Sequence, residues 1–397
     1  KIKLNQAKIN SKEVKKNDIF FAIKGKKIDA NKFVGEAFIK KASVAVVNKI
    51  NRNIDINRQI KVKNSLNFLT KSSKIFRQNI STKIIAITGS CGKTTLKELV
   101  SRSLKKITKV SSSPKSFNNK YGVPLSLFNI DQKDLYAVLE IGMDKKGEID
   151  FLSKIVQPDI SVITNINYAH AKNFQNIKQI ALAKSEIMNN TKPNGYIVLN
   201  GDDQFYNLHK KIAQKKNLQI LSFSIKRKNT NVRLLGIQKI GIKFKAKIQI
   251  NKSKKYFLIS DDFQSNILNI LAALTIMNIF MDISKIDNDI FLNFKKPEGR
   301  GNLLKIKIKN KVLNLVDESY NSNPLSLKSA IQNYDKIETK NSKKYLLLGD
   351  MLELGKHSKK LHQSIGKIIN KTKIDKVFVK GKNVLFIFNG ISKLKRG

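Results

Sequence analysis

Ile84-Ile85-Ala86-Ile87-Thr88-Gly89-Ser90-Cys91-Gly92-Lys93-Thr94-Thr95 joins a short apolar, β-prone run to two glycines, a lysine and two threonines. Beyond it the apolar period lengthens, and Leu96, Leu99, Val100, Leu104 and Ile107 share one helical face. A strand, a glycine-bearing turn and a helix N-terminus in that order make an anion cradle: backbone N–H groups close around the anion and the helix dipole adds positive potential. In such a cradle Lys93 reaches the terminal phosphates of a nucleotide and Thr94 offers its hydroxyl to Mg²⁺. The general spacing G-x-x-x-x-G-K-[ST] is met except at its first glycine, where this chain has Ile87.

Working outward, the 397 residues suit two to three domains, and 41% hydrophobic residues are enough for each to bury a core. The formal charge of +48 raises the possibility of a nucleic-acid-binding ATPase. Only eight of the 77 basic residues are arginine, however, and the lysines are spread through every segment rather than clustered among aromatics. The charge therefore reads as a compositional bias on solvated faces, with no nucleic-acid partner expected. The single cysteine, Cys91, excludes an intrachain disulfide and a cysteine-cluster metal site, and fits a cytoplasmic location. Its place beside a helix N-terminus favours a thiolate, although a small side chain filling a loop is the plainer reading. The most apolar long segment, 267–281, is interrupted by Asn269, Thr275 and Asn278 and reads as a buried helix, so no membrane span is expected. No cleavable leader pattern opens the chain. Lys1 in place of Met suggests that N-terminal residues are missing.

Three units are expected. Residues 1–82 carry strands over 18–23 and 43–47 with helices over 31–41 and 64–80. Residues 83–297 alternate short apolar runs (135–141, 160–164, 196–199) with helical segments such as 177–188, the pattern of a doubly wound, mostly parallel sheet. Ligands in such a sheet sit beyond the carboxyl ends of the strands, which points to Glu140, Asn165, Asn167 and His170. Between 220 and 260 alternating residues predict an antiparallel insert, followed by a helix over 266–281. The Pro/Gly-punctuated stretch 295–301 reads as a hinge, and 298–397 as a third α/β unit with strands over 312–316, 345–348 and 376–379.

Several blocks, in order, resemble the Mur ligases. Thr88-Gly-Ser-Cys-Gly-Lys-Thr-Thr95 is similar to that family's phosphate loop, whose first glycine is displaced in the same way. Ser116-Phe-Asn-Asn-Lys-Tyr-Gly-Val-Pro-Leu125, Leu139-Glu-Ile-Gly-Met143 with Gly147-Glu148, Thr164-Asn-Ile-Asn-Tyr-Ala-His170 and Ala183-Lys-Ser-Glu-Ile187 resemble further blocks of its central domain. Asp317-Glu-Ser-Tyr-Asn-Ser-Asn-Pro324 and Leu348-Gly-Asp-Met-Leu-Glu-Leu-Gly355 resemble the branch that adds a dipeptide.

The resemblance implies three α/β domains: an N-terminal UDP-binding unit, a central doubly wound P-loop-type sheet with an antiparallel insert, and a C-terminal Rossmann-like unit that continues past Gly397. It implies an ATP- and Mg²⁺-dependent ligase of peptidoglycan precursor synthesis, acting as a monomer on UDP-N-acetylmuramoyl-tripeptide and D-alanyl-D-alanine through an acyl phosphate. By resemblance the nucleotide is held by residues 88 to 95 (Thr88, Gly89, Ser90, Cys91, Gly92, Lys93, Thr94, Thr95) with Asn266, Asn269, Arg300 and Asp317. Thr94, Glu140, His170 and Lys184 are the implied metal ligands, Lys184 as a carbamate formed from CO₂. Lys93, Lys184 and His170 are the implied catalytic groups. Ser11, Lys24, Asn118 and Asn119 are expected on the UDP-sugar-peptide. Tyr320, Asn321 and Asn323, with the 349–355 loop, are expected on the dipeptide. Lysine stands at 12 where the family usually has arginine, Ser265 where it has histidine, and Glu318 where it often has a second aspartate. A ligase adding a single amino acid and a folylpolyglutamate synthase are the nearest other enzymes, and the blocks at 317–324 and 348–355 argue against both.

Overall fold

The computed structural model describes residues 4–309, 311–338 and 342–397. Near the N-terminus, strands Ala7–Lys8, Ile19–Phe21, Val44–Val47 and Gln59–Lys61 lie side by side, all parallel. The two inner strands are those visible in the sequence. The outer two are only two and three residues long and carry no apolar run. The helix expected over 31–41 opens instead as a 3₁₀ turn, Ala30–Phe33, started by the Asp29 side chain, before the α-helix Val34–Ile39. Helix Ser65–Gln78 begins where Asn64 accepts the N–H of Asn67 and ends against the next unit. There Ser73 Oγ donates to the Pro124 carbonyl (2.8 Å), and the buried Arg77 guanidinium bonds the carbonyls of Val156, Thr82 and Gln157 and the Asp159 carboxylate.

The phosphate-loop strand, Lys83–Thr88, lies between Tyr136–Glu140 and Ile160–Ile163, and all three are parallel. This order brings their carboxyl ends side by side. Val110–Ser112 flanks one side, and Tyr196–Asn200 and Gln219–Ser224 extend the parallel sheet on the other. The expected insert is less separate than its sequence suggests. Gln219–Ser224 is a parallel strand, and the meander Val232–Ile240, Lys243–Ile250, Ser253–Ile259 continues the same nine-stranded sheet. One face of the meander buries Ala246, Ile248, Ile250, Phe257 and Ile259 against helix Gln264–Met277. That helix is apolar on nearly every side because it is enclosed on nearly every side.

After the 295–301 stretch, Asn302–Ile308 pairs antiparallel with Lys311–Asp317; the sequence pattern does not reveal the first of these strands. Helix Pro324–Lys336 starts with a reciprocal cap between Asn323 and Ser326. Strands Tyr345–Gly349 and Lys376–Lys380 run parallel, with helices Ser358–Ile369 and Leu385–Gly390 packed nearby. Among the described residues no helix is long and apolar enough to cross a membrane.

Candidate active site

The turn after Lys83–Thr88 depends on two glycines. Gly89 has φ +147 and Gly92 φ +81, and a Cβ on Gly89 would stand 1.9 Å from Thr164 Oγ1. Helix Lys93–Lys105 starts directly after Gly92, and Lys93 Nζ folds back to the Gly89 carbonyl (2.9 Å). The segment after the neighbouring strand buttresses this loop. Thr164 Oγ1 and Asn165 Nδ2 donate to the Cys91 carbonyl (2.6 and 3.1 Å), Asn165 Oδ1 accepts the Cys91 N–H (3.0 Å), and Ser90 Oγ donates to the Asn167 carbonyl (2.8 Å). Asn165 and Asn167 thus shape the cradle from behind. Among the described residues Thr88 Oγ1 finds no hydrogen-bond partner, although it is buried. Of the two readings of Cys91 the thiolate is not favoured: burial raises the thiol's pKa, against the lowering effects of Asn323 and Lys93.

Four separate segments meet at Thr94. Its hydroxyl donates to Glu140 Oε2 (2.7 Å), lies 3.2 Å from Ser116 Oγ, and accepts Arg300 Nη2 (3.0 Å) from beyond the hinge. Glu140, 1% exposed, accepts Asn118 Nδ2 on its other oxygen (2.7 Å). Arg300 stacks 4.1 Å over the Tyr320 ring. The Thr94 hydroxyl and both Glu140 oxygens form the compact, hard oxygen donor set that Mg²⁺ favours, so the residues present fit that ion.

Lys184, on helix Ile177–Ser185, is 2% exposed. Burial, and then the charge of Lys93, hold its pKa well below the ordinary lysine range. His170 takes a left-handed φ of 55°. Its Nδ1 is 3.0 Å from Asp144 Oδ1 and in contact with Glu353 Oε2, which comes from the third unit. The 349–355 loop is docked here by more than that carboxylate. Glu353 Oε1 pairs with Lys172 Nζ (3.2 Å), the Glu353 carbonyl accepts the Lys172 N–H (2.8 Å), and Gly355 lies flat on Lys172. Despite burial, His170 and Lys172 hold the Glu353 carboxyl below its usual pKa.

A cavity of about 1070 Å³ opens over these groups. Of the residues singled out in the sequence, Ser90, Cys91, Gly92, Lys93, Thr94, Asn118, Asn119, Glu140, His170, Arg300, Tyr320, Asn321 and Asn323 line it. Lys184 and Asn269 lie buried behind it, the latter with Oδ1 against Gly92. Asn266 donates to Asp261 (3.2 Å), and Thr95 stands on the first helical turn outside the lining. Asp317 closes the hairpin and caps the Ser319 N–H, which lowers its pKa, while burial raises that of Glu318 beside Lys296 and Arg300. Ser11 donates to Glu36 (2.8 Å) away from the cavity, and Lys24 is exposed outside it. Lys26, two residues further along the same lysine-rich loop, lines it instead. Nothing in the local sequence separates Lys26 from Lys24 or Lys27. Asp144 is not singled out by the sequence, and Glu353 only as part of the 349–355 loop expected on the dipeptide, since their meeting with His170 depends on packing.

Fold and cavity together define a multi-domain α/β chain with a P-loop-like turn, its cavity lined in part by the last unit. Residues 87–277 match the Mur ligase middle domain and residues 300–390 the Mur ligase glutamate ligase domain. The UDP-N-acetylmuramoyl-tripeptide–D-alanyl-D-alanine ligase of Buchnera aphidicola subsp. Baizongia pistaciae is 33% identical over 386 residues, which span 96% of this chain and 81% of that protein. A crystal structure of MurF from Acinetobacter baumannii superposes with a TM-score of 0.84 at 28% identity, covering 98% of this chain and 83% of its own. MurF ligase from Thermotoga maritima in complex with ADP gives 0.82 at 28% identity, covering 100% and 89%. The chain belongs to the Mur ligase family, and it is an ATP-dependent ligase joining a carboxylate to an amine.

Proposed function

We propose that this chain adds D-alanyl-D-alanine to UDP-N-acetylmuramoyl-tripeptide in the cytoplasm, as a monomer, during peptidoglycan precursor synthesis. The observation that carries this reading is a shared cavity. Lys93, Thr94 and Glu140 of the nucleotide cradle line it together with Tyr320, Asn321 and Asn323, from the block that resembles the dipeptide-adding branch. The terminal carboxylate of the tripeptide attacks the γ-phosphorus of ATP, releasing ADP and forming an acyl phosphate. The neutral amine of the dipeptide then attacks the acyl carbon, the C–O bond to phosphate breaks, and the amine's surplus proton leaves with the phosphate as hydrogenphosphate, so that a peptide bond remains.

The first step brings anions together, so the chain must supply positive charge and hold it in place. Lys93 and the loop N–H groups meet the β- and γ-phosphates, and Arg300 closes on them from the third unit as a planar donor. Thr94, Glu140, His170 and Lys184 would hold Mg²⁺, which when bound screens the transferring phosphoryl group. Lys184 takes part as a carbamate: its neutral amine adds to CO₂ with loss of a proton, turning a buried neutral amine into an anionic ligand. The strong lowering of its pKa supports this, because only the neutral amine reacts. Asn266, Asn269 and Asp317 are assigned to the nucleoside. Asn118, Asn119, Ser11 and Lys24 are assigned to the UDP-linked substrate, with Lys26 added from the cavity lining. We divide the chain into 1–82, 83–297 and 298–397, a reading supported by a four-stranded sheet within the first, a nine-stranded sheet within the second and two two-stranded sheets within the third.

The test is phosphate release from ATP and Mg²⁺ with UDP-muramoyl-tripeptide and D-alanyl-D-alanine. Release with that pair and not with single amino acids is the expected result. Release that requires a single amino acid acceptor instead would overturn the assignment.

A further inference from the structure

Lys97 stands three residues beyond Thr94 on the phosphate-loop helix and is wholly buried, a rare position for lysine. An ammonium is tolerated there only if its protons are matched. They are: Nζ donates to the carbonyls of Ser113 and Lys115, both at 2.5 Å, and lies 3.0 Å from Glu98 Oε1. The two carbonyls belong to the loop between strand Val110–Ser112 and helix Gly122–Phe128. That loop passes through Lys115 at φ 45°, a left-handed value that a non-glycine residue holds only when its surroundings enforce it.

The groups on either side of these carbonyls converge on the site. Ser113 Oγ accepts the backbone N–H of Glu140 (3.2 Å), Ser116 Oγ faces the Thr94 hydroxyl (3.2 Å), and Asn118 Nδ2 holds Glu140 Oε1 (2.7 Å). The Asn118 carbonyl accepts the Gly142 N–H (2.7 Å), fixing the segment that follows Glu140. Lys97 does not line the cavity, so any effect it has on the reaction passes through this loop. We infer that Lys97 is a positioning residue: its buried ammonium ties the helix bearing Thr94 to the 113–118 loop and so sets the Glu140 carboxylate for the metal. The inference rests on the reading of Thr94 and Glu140 as metal ligands.

The experiment is Mn²⁺ binding followed by electron paramagnetic resonance in the presence of ADP. It compares the unaltered chain, Lys97→Met, Asn118→Ala and the double variant. Partners that orient metal ligands are worth about tenfold or more in affinity, so each single variant should weaken Mn²⁺ binding by roughly that factor. Because both act on one carboxylate through one loop, the double variant should be no more than about twofold weaker than the worse single variant. A folded Lys97→Met that binds Mn²⁺ as the unaltered chain does, or a double variant whose losses multiply, overturns the inference alone. An unaltered chain that binds no Mn²⁺ with ADP overturns the reading of the site as well. If Lys97→Met does not fold, Lys97→Gln, which keeps a donor for one carbonyl, takes its place under the same criteria.

Discussion

The Glu353 carboxylate, carried by the third unit, rests against the imidazole of His170 in the central unit, 183 residues earlier, while its other oxygen holds Lys172. The contact joins the two units at His170, which lines the cavity and is a proposed metal ligand. Glu353→Ala removes the carboxylate from both partners and leaves each unit's own core untouched. A half-exposed pair of this kind is worth about 1 kcal/mol, so turnover should fall roughly fivefold. Cleavage by a protease in the 295–301 hinge should quicken. Unaltered phosphate release and unaltered cleavage would show that the contact does not hold the units together.

Lys184→Ala is expected to abolish phosphate release, because the proposed carbamate is lost with the amine. Acetate or another short carboxylate, able to enter the space left by the side chain and supply the missing oxygen, should restore part of the activity. Full activity without any added acid would exclude the carbamate.

Cys91 offers a readout of the phosphate loop that needs no substitution, since it is the chain's only cysteine. Burial raises its pKa, so alkylation at neutral pH should be slow and should accelerate as the pH is raised. Saturating ATP with Mg²⁺ should slow it further by covering the loop. An alkylation rate indifferent to ATP would mean that the nucleotide lies elsewhere.

His209 is buried behind the helix of Lys184, where burial lowers its pKa from the ordinary 6.5 to about 4. The folded chain therefore takes up this proton later than the unfolded chain as the pH falls. The contribution of neutral His209 to stability is fully present above pH 6.5 and is lost progressively between 6.5 and about 4. The loss amounts to roughly 3 kcal/mol over that window. Denaturant titrations at several pH values should show this slope in the parent and a shallower one in His209→Gln. Equal slopes would assign the acid sensitivity to other groups.

The strand, glycine turn and helix start of 83–105 were legible in the sequence because their parts are contiguous. A strand, two glycines, Lys93 and a helix start within a dozen residues write their geometry directly into local propensity. The central alternation of strands and helices was legible for the same reason, through residue period. Strands too short to show a period were not, such as Ala7–Lys8 and Gln59–Lys61. Neither was the hairpin strand Asn302–Ile308, whose apolar side chains are mostly exposed.

By itself, then, the sequence offered candidates for the chemistry: a lysine and a threonine at a helix start, a glutamate at a strand end and a histidine after the neighbouring strand, while Lys184 entered only through the family resemblance. The tertiary structure decided which of them meet. Placing Lys83–Thr88 between Tyr136–Glu140 and Ile160–Ile163 sets Glu140 against Thr94, and Arg300 reaches the same hydroxyl across 206 residues. It also selected Lys26 over its lysine neighbours, buried Lys97 beneath the loop and set Glu353 on His170. Strand order and domain docking come from burying whole apolar faces, a sum over many distant residues, and no local spacing records that sum.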